Sequence, residues 1–190
     1  MFHKKIQNVI DQVDRLRDQV DDHWQIPRDE ALLLAQLVRL GRCTSICEIG
    51  TSYGFSTLHL AAATSERGGM LHTIDIDPRK TETARKHIQN AGLEPYVTFH
   101  HGDARQVLQT LHADQPIDFV FIDAVKEQSL AYLQNVWPLL GAHAIVATDN
   151  TLTHAKELQS FVQHLRAHPQ LRSCAVPIGN GLELSVRVGG

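Results

Sequence analysis

Polar and apolar positions change rhythm twice along this chain. Over residues 3–22, Ile6, Val9, Ile10, Val13, Leu16 and Val20 recur at helical spacing with acids and bases between them, which predicts an amphipathic helix. Its apolar face needs a surface to cover, on the same domain or on a partner subunit. Pro27 leads into a second helix, about 28–40, rich in Ala and Leu and closed by Gly41. From Ser45 onward short apolar runs alternate with helical stretches. Strands are predicted at 45–50, 70–77, 97–103, 117–123 and 143–149. The helices between and after them fall at about 55–65, from Asp77-Pro78 onward, 104–112, 127–140 and 154–167. Asp77 and Pro78 suit the N-cap and first turn of their helix. Strands alternating with helices imply a parallel sheet with right-handed crossovers and helices on both faces. The end of the chain differs. Residues 172–179 and 182–188 are β-rich runs joined across Gly179-Asn180-Gly181, the signature of a hairpin. The expected class is α/β, a seven-stranded, mostly parallel sheet with a C-terminal antiparallel hairpin.

Length and composition narrow this picture. At 190 residues the chain suits one domain, with helices in 1–44 and the α/β core in 45–190. A net charge of −3 without any Lys/Arg-rich run argues against a large nucleic-acid footprint. The N-terminus interrupts every apolar run with polar residues, so it does not read as a signal peptide, and no stretch approaches the ~18 apolar residues of a membrane span. The expected location is the cytoplasm. Cys43, Cys47 and Cys174 are odd in number and lack a C-x-x-C pair, so they read as structural. The histidines are scattered. His100 and His101 are adjacent strand residues facing opposite ways, which opposes a shared ligand role.

The chemistry gathers at strand ends. Glu48, Asp75, Asp103, Asp123 and Asp149 each close a predicted strand. Ligands of open α/β sheets bind in the crevice outside those carboxyl ends. The first strand runs into Glu48-Ile49-Gly50-Thr51-Ser52-Tyr53-Gly54-Phe55-Ser56, where glycines let a ligand approach the backbone. The G-x-x-x-G spacing is not the G-x-G-x-x-G of pyrophosphate binders. An adenosine cofactor without a pyrophosphate fits better. Asp75 can hold both ribose hydroxyls, and Asp103 can accept from an adenine amino group. Asp123, Asp149 and Asn150 form an all-oxygen set beside that crevice, suited to a hard cation such as Mg²⁺ or Ca²⁺. Asp149 and Asn150 can share an ion only if the strand ends in a turn there. Lys126 opens a predicted helix, where a cation is electrostatically misplaced, which favours a functional reading.

The motifs E-I-G-T-S-Y-G-F-S, I-D-I-D-P and G-D-A resemble the cofactor motifs of class I S-adenosylmethionine-dependent methyltransferases, whose fold is a Rossmann-like sheet with a final hairpin. The resemblance implies cofactor contacts from Glu48, Gly50, Ser52, Gly54, Ser56, Asp75, Asp103 and Asp123. F-I-D-A-V-K, T-D-N-T-L and P-I-G-N-G-L resemble the metal-dependent O-methyltransferases of the catechol and caffeoyl-CoA type, from about Ser45 to Val188. That implies Asp123, Asp149 and Asn150 as metal ligands, with Mg²⁺ first and Ca²⁺ or Mn²⁺ as alternatives, and Lys126 as the base. The implied acceptor is a small hydroxylated aromatic, and the implied assembly a homodimer.

Departures fall on the acceptor side. Family members often read D-A-D-K where this chain has Asp123-Ala124-Val125-Lys126, and a Tyr commonly follows where Gln128 and Ser129 stand. Little chain precedes the first strand, and Thr151-Leu152-Thr153-His154 leads almost directly into a helix. A smaller or more open acceptor site is expected. Alternatives are methylation of a hydroxylated transfer-RNA base, a nicotinamide-dependent oxidoreductase, and a binding module that keeps the fold without turnover. The absent G-x-G-x-x-G opposes the oxidoreductase, and the retained Asp123, Lys126, Asp149 and Asn150 oppose loss of turnover.

Overall fold

The computed structural model describes residues 2–17, 19, 22 and 25–189. Among them, seven strands form one sheet in the order β3-β2-β1-β4-β5-β7-β6. The strands are β1 (Ser45–Ile49), β2 (Met70–Asp75), β3 (Val97–His101), β4 (Ile117–Ile122), β5 (Leu140–Thr148), β6 (Leu171–Val176) and β7 (Leu182–Arg187). β1 to β5 pair in parallel, while β7 runs antiparallel to both β5 and β6. This is the sheet the alternation predicts.

The helices are α1 (Lys4–Leu16), α2 (Arg28–Leu40), α3 (Phe55–Ser65), α4 (Pro78–Ala91), α5 (Ala104–Thr110), α6 (Ser129–Val136) and α7 (Ala155–Ala167). Side chains alternate across a strand, and β4 shows what this does. Phe119 and Phe121 enter a core with Ile10, Val13, Leu34 and Leu58, whereas Val120 and Ile122 enter a second core with Leu108, Leu133, Leu158 and Phe161. α1 to α4 therefore cover one face and α5 to α7 the other. All five residues of β1 are buried, as expected of a central parallel strand covered on both sides.

Several boundaries differ from expectation. α1 ends at Leu16 rather than near residue 22, and Val20 lies outside the described residues. Its face closes on α3 and α4 of the same chain through Val9, Ile10 and Val13. The helix expected over 127–140 is divided into a 3₁₀ turn at Lys126–Gln128, α6, and a second 3₁₀ turn at Trp137–Leu139. Pro138 has no N–H to continue an α-helical ladder, which accounts for the second break. β5 starts earlier than expected, at Leu140, with a register shift against β4 between Ile117 and Phe119. Cys43 and Cys47 are buried as expected, but Cys174 is exposed on the edge strand β6, so packing does not explain it. His100 faces His72 at 3.1 Å whereas His101 meets the Ile76 carbonyl, so the two adjacent histidines do part company. No helix among the described residues is long and apolar enough to cross a membrane.

Candidate active site

Strand order reverses between β1 and β4, so the crevice opens beyond their carboxyl ends. Gly50, at φ 106°, makes the first turn of that crevice. A Cβ there would overlap the Asp123 carbonyl oxygen, so only glycine lets the loop after β1 press against the end of β4. Backbone bonds finish the alignment: Gly50 N–H donates to the Ile74 carbonyl and Asp123 N–H to the Ile49 carbonyl, both at 2.9 Å.

The β1–β3 half of the crevice holds the residues expected to meet an adenosine cofactor. Glu48 is fully buried, one position before the end of β1. One of its oxygens accepts from the Thr57 and Thr73 hydroxyls, each at 2.6 Å, and the Ser56 side chain lies near enough to favour the charged carboxylate. Burial outweighs these bonds and pushes its pKa up to about 7. Its other oxygen is buried without a partner, as is the Ser52 hydroxyl. Ser52 itself has a left-handed backbone, φ 46°, and its N–H donates to Asp75 Oδ2 at 2.7 Å. Asp75 ends β2 and also accepts from Asp77 N–H at 2.9 Å, while Asp77 caps α4 as expected. Gly54 is the N-cap of α3. Asp103 stands two residues beyond β3 and caps α5, with the Arg105 guanidinium on both its oxygens at 3.1 and 2.5 Å. That ion pair and cap hold its carboxyl below the usual range. Two orphaned polar atoms in a glycine-lined cleft suit a ligand that brings its own donors and acceptors. The donor set fits an amino-acid nucleoside.

The β4–β5 half is more acidic. Asp123 follows β4, and its carboxylate accepts from Lys126 Nζ at 2.7 Å. Asp149 follows β5 and is 1% exposed. The chain does turn there: Asn150 has φ 68°, and its N–H donates back to Asp149 Oδ1 at 2.5 Å. The Asn150 amide donates to Thr153 Oγ1 at 3.0 Å, which leaves its oxygen as the remaining acceptor. A group that sequence reasoning missed completes this half. Glu30, in the first turn of α2, is wholly buried, with the Asp149 carboxyl as its close electrostatic neighbour. Its Oε2 accepts from Asn180 N–H at 3.0 Å, while Oε1 has no partner. The Asn180 amide reaches Asp149 Oδ2 at 3.5 Å. Burial first, then the Asp123 charge and Glu30, push the Asp149 pKa up to about 9. Burial likewise raises that of Glu30. No three His, Cys, Asp or Glu side chains among the described residues form a ready metal cage. Two carboxylates, Asp123 and Asp149, with the Asn150 amide oxygen would be the donors. Crowded acids, one cation and an orphaned buried oxygen fit a hard divalent ion.

Comparison with known proteins agrees with this fold. The sequence model described as O-methyltransferase matches residues 7–188. The chain is 29% identical over 199 residues to caffeoyl-CoA O-methyltransferase 2 of Populus trichocarpa, covering 91% of this chain and 80% of that one. Among solved structures, cofactor-bound Rv0187 from MTB superposes with a TM-score of 0.88 at 27% identity, over 96% of this chain and 91% of that one. The O-methyltransferase TomG from Streptomyces achromogenes, in complex with SAM, superposes with a TM-score of 0.84 at 25% identity, over 100% of this chain and 92% of that one. The glycine turn after β1, the acids at the strand ends and the closing hairpin therefore belong to a member of the S-adenosylmethionine-dependent O-methyltransferase family.

Proposed function

We propose that this chain methylates one hydroxyl of a small vicinal-dihydroxy aromatic, with a divalent cation, Mg²⁺ foremost, held by Asp123, Asp149 and the Asn150 oxygen. The observation that carries the reading is the crowding of the buried acids Glu30 and Asp149 toward Asp123, which Lys126 pairs at 2.7 Å. The plant relative's name supports a hydroxylated aromatic acceptor.

Within this reading Asp75 holds the ribose, its carboxylate already fixed by the Ser52 and Asp77 N–H groups. Glu48 offers its unpaired oxygen, and Ser52 its free hydroxyl, to the methionine end. Gly50, Gly54 and Ser56 line the turn around it. Asp103 meets the adenine amino group in competition with Arg105. S-adenosylmethionine supplies a methyl on a sulfonium, and a chelated divalent cation would supply Lewis acidity toward the acceptor hydroxyl. Lys126, once in its neutral amine form, takes the hydroxyl proton at Nζ. Fixed placement of both partners lowers the entropic barrier to in-line transfer. Val125 and Leu152, both well exposed, give the acceptor mouth an apolar rim suited to an aromatic ring.

The test is S-adenosylhomocysteine release over a panel of catechols, with Mg²⁺ and again with EDTA. Turnover with Mg²⁺ that EDTA abolishes is expected. Turnover unchanged by EDTA would remove the cation from the mechanism, and no turnover on any catechol would overturn the acceptor class.

A further inference from the structure

Glu30 reaches the site from a different part of the chain than the expected ligands do. It lies on α2, 150 residues from its hydrogen-bond partner Asn180, and its surface is wholly buried. Three elements meet on its side chain. Its Oε2 holds the Gly179–Gly181 turn through the Asn180 N–H, and the Asp149 carboxyl is its close electrostatic neighbour. The Asn180 amide leans on the same Asp149. The turn in its own right is tied to the loop after Asn150: Thr151 N–H donates to the Gly181 carbonyl and Leu152 N–H to that of Asn180, both at 3.0 Å.

Gly179 makes this closure possible. It has φ 56°, and a Cβ there would collide with Glu30 Oε2 and crowd Pro27. The backbone is thus brought down onto one buried carboxylate, which is costly to maintain for packing alone. An apolar side chain would fill the same space without a desolvation penalty. The remaining oxygen, Oε1, satisfies no group of the protein.

We propose that Glu30 is a positioning residue for the cation site, holding Asp149 and the Gly179–Gly181 turn in the arrangement that binds the ion. The inference rests on the cation reading above. Partners of this kind orient ligating carboxylates, and their loss typically lowers metal affinity about 10–100-fold. The hydrogen bond Glu30 makes goes to the Asn180 turn, whereas Ser52 and Asp75 bond each other and Lys126 pairs with Asp123, so its role differs from theirs.

Mn²⁺ serves as the probe, with affinity measured by electron paramagnetic resonance on the whole protein without acceptor, alongside S-adenosylhomocysteine affinity by calorimetry. Three variants separate the possibilities: Glu30→Ala, Glu30→Met, which keeps volume without oxygen, and Glu30→Gln, which keeps an acceptor and a donor. The expected result is Mn²⁺ affinity lowered about 10–100-fold in the Ala and Met variants. It should be largely restored in the Gln variant, with S-adenosylhomocysteine affinity unchanged throughout. Should the Ala variant fail to fold, the Met variant carries the test. A folded Met variant that binds Mn²⁺ as tightly as wild type overturns the proposal, whatever its melting temperature. Wild-type protein that binds no Mn²⁺ would instead overturn the cation reading itself, and this inference with it.

Discussion

Glu183 and Asp149 sit on adjoining strands, both withdrawn from water, yet their surroundings are opposite. Glu183 lies in β7 opposite Thr148, the residue before Asp149. The Arg166 guanidinium grips its two oxygens at 2.7 Å each. Asp149 faces Asp123 and Glu30, and the neutral amides of Asn150 and Asn180 are the donors it receives. The first arrangement compensates a buried charge and ties α7 to the sheet. The second leaves acids crowded against one another, an unfavourable state that a protein keeps where the charge has a use. Two buried carboxylates thus carry different meanings, and the partner rather than the burial distinguishes them.

The most severe way to break the comparison is at the crowded end. Asp123→Ala should lower Mg²⁺-stimulated methyl transfer by about 10³-fold or more, since a Lewis-acid contact supplies several kcal/mol. S-adenosylhomocysteine affinity, read by calorimetry, should change little. Turnover near the wild-type level would detach Asp123 from catalysis.

At the compensated end the expectation reverses. Arg166→Met strands Glu183 without its partner and should cost ~3 kcal/mol of stability in urea unfolding, the low end for a broken buried pair because Arg166 is half exposed. Activity per folded molecule should stay within about twofold. An equal loss of activity would tie this pair to the site.

Glu48 is an intermediate case, buried but held by hydroxyls alone. Its folded pKa of about 7 stands above the ordinary carboxylate value, and burial is the main cause. A raised carboxylate pKa means the folded state binds the proton more tightly, so stability is fullest at acid pH. It falls as pH rises from about 4.5 through 7, by roughly 3 kcal/mol, and is flat beyond. Unfolding at pH 5 and pH 8 without cofactor should show a smaller loss in Glu48→Gln than in wild type, the remainder coming from Asp149 and Glu30, whose carboxyls are raised as well. The same slope in both proteins would assign it to another group.

The smallest effect on stability sharpens the contrast in sign. Asp149→Asn removes one of the crowded acids and should stabilise the metal-free protein by about 1 kcal/mol, while abolishing Mg²⁺-stimulated turnover. Differential scanning fluorimetry reads this directly, and a lower melting temperature would mean the crowding is not unfavourable.

How far the site was legible in the sequence follows from the range of the interactions. Strand periodicity, the Asp77-Pro78 helix start and the glycine turn after β1 are local signals, and each stands where expected. The turn that sharing an ion requires at Asp149-Asn150 is also present. Boundaries slipped where a local pattern was ambiguous: Pro138 divides a helix that apolar spacing would continue, and α1 stops earlier than its periodicity. Glu30 was illegible for another reason. An acid in the first turn of a helix reads as a favourable partner of the helix dipole, and its contact with Asn180 exists only after folding. Asp103 held a second occupation that sequence does not announce, since Arg105 two residues on claims its carboxylate.

The central claim is that the acids beyond β4 and β5 hold a cation on which methyl transfer depends. It is tested most directly by following methyl transfer to a simple catechol as Mg²⁺ is raised from fully chelated to saturating, in wild type and in Asp149→Ala. The account predicts a saturable rise in wild type and a flat, near-zero line in the variant, with both proteins binding S-adenosylhomocysteine alike. A variant that rises in parallel with wild type, or a wild type indifferent to Mg²⁺, would contradict it.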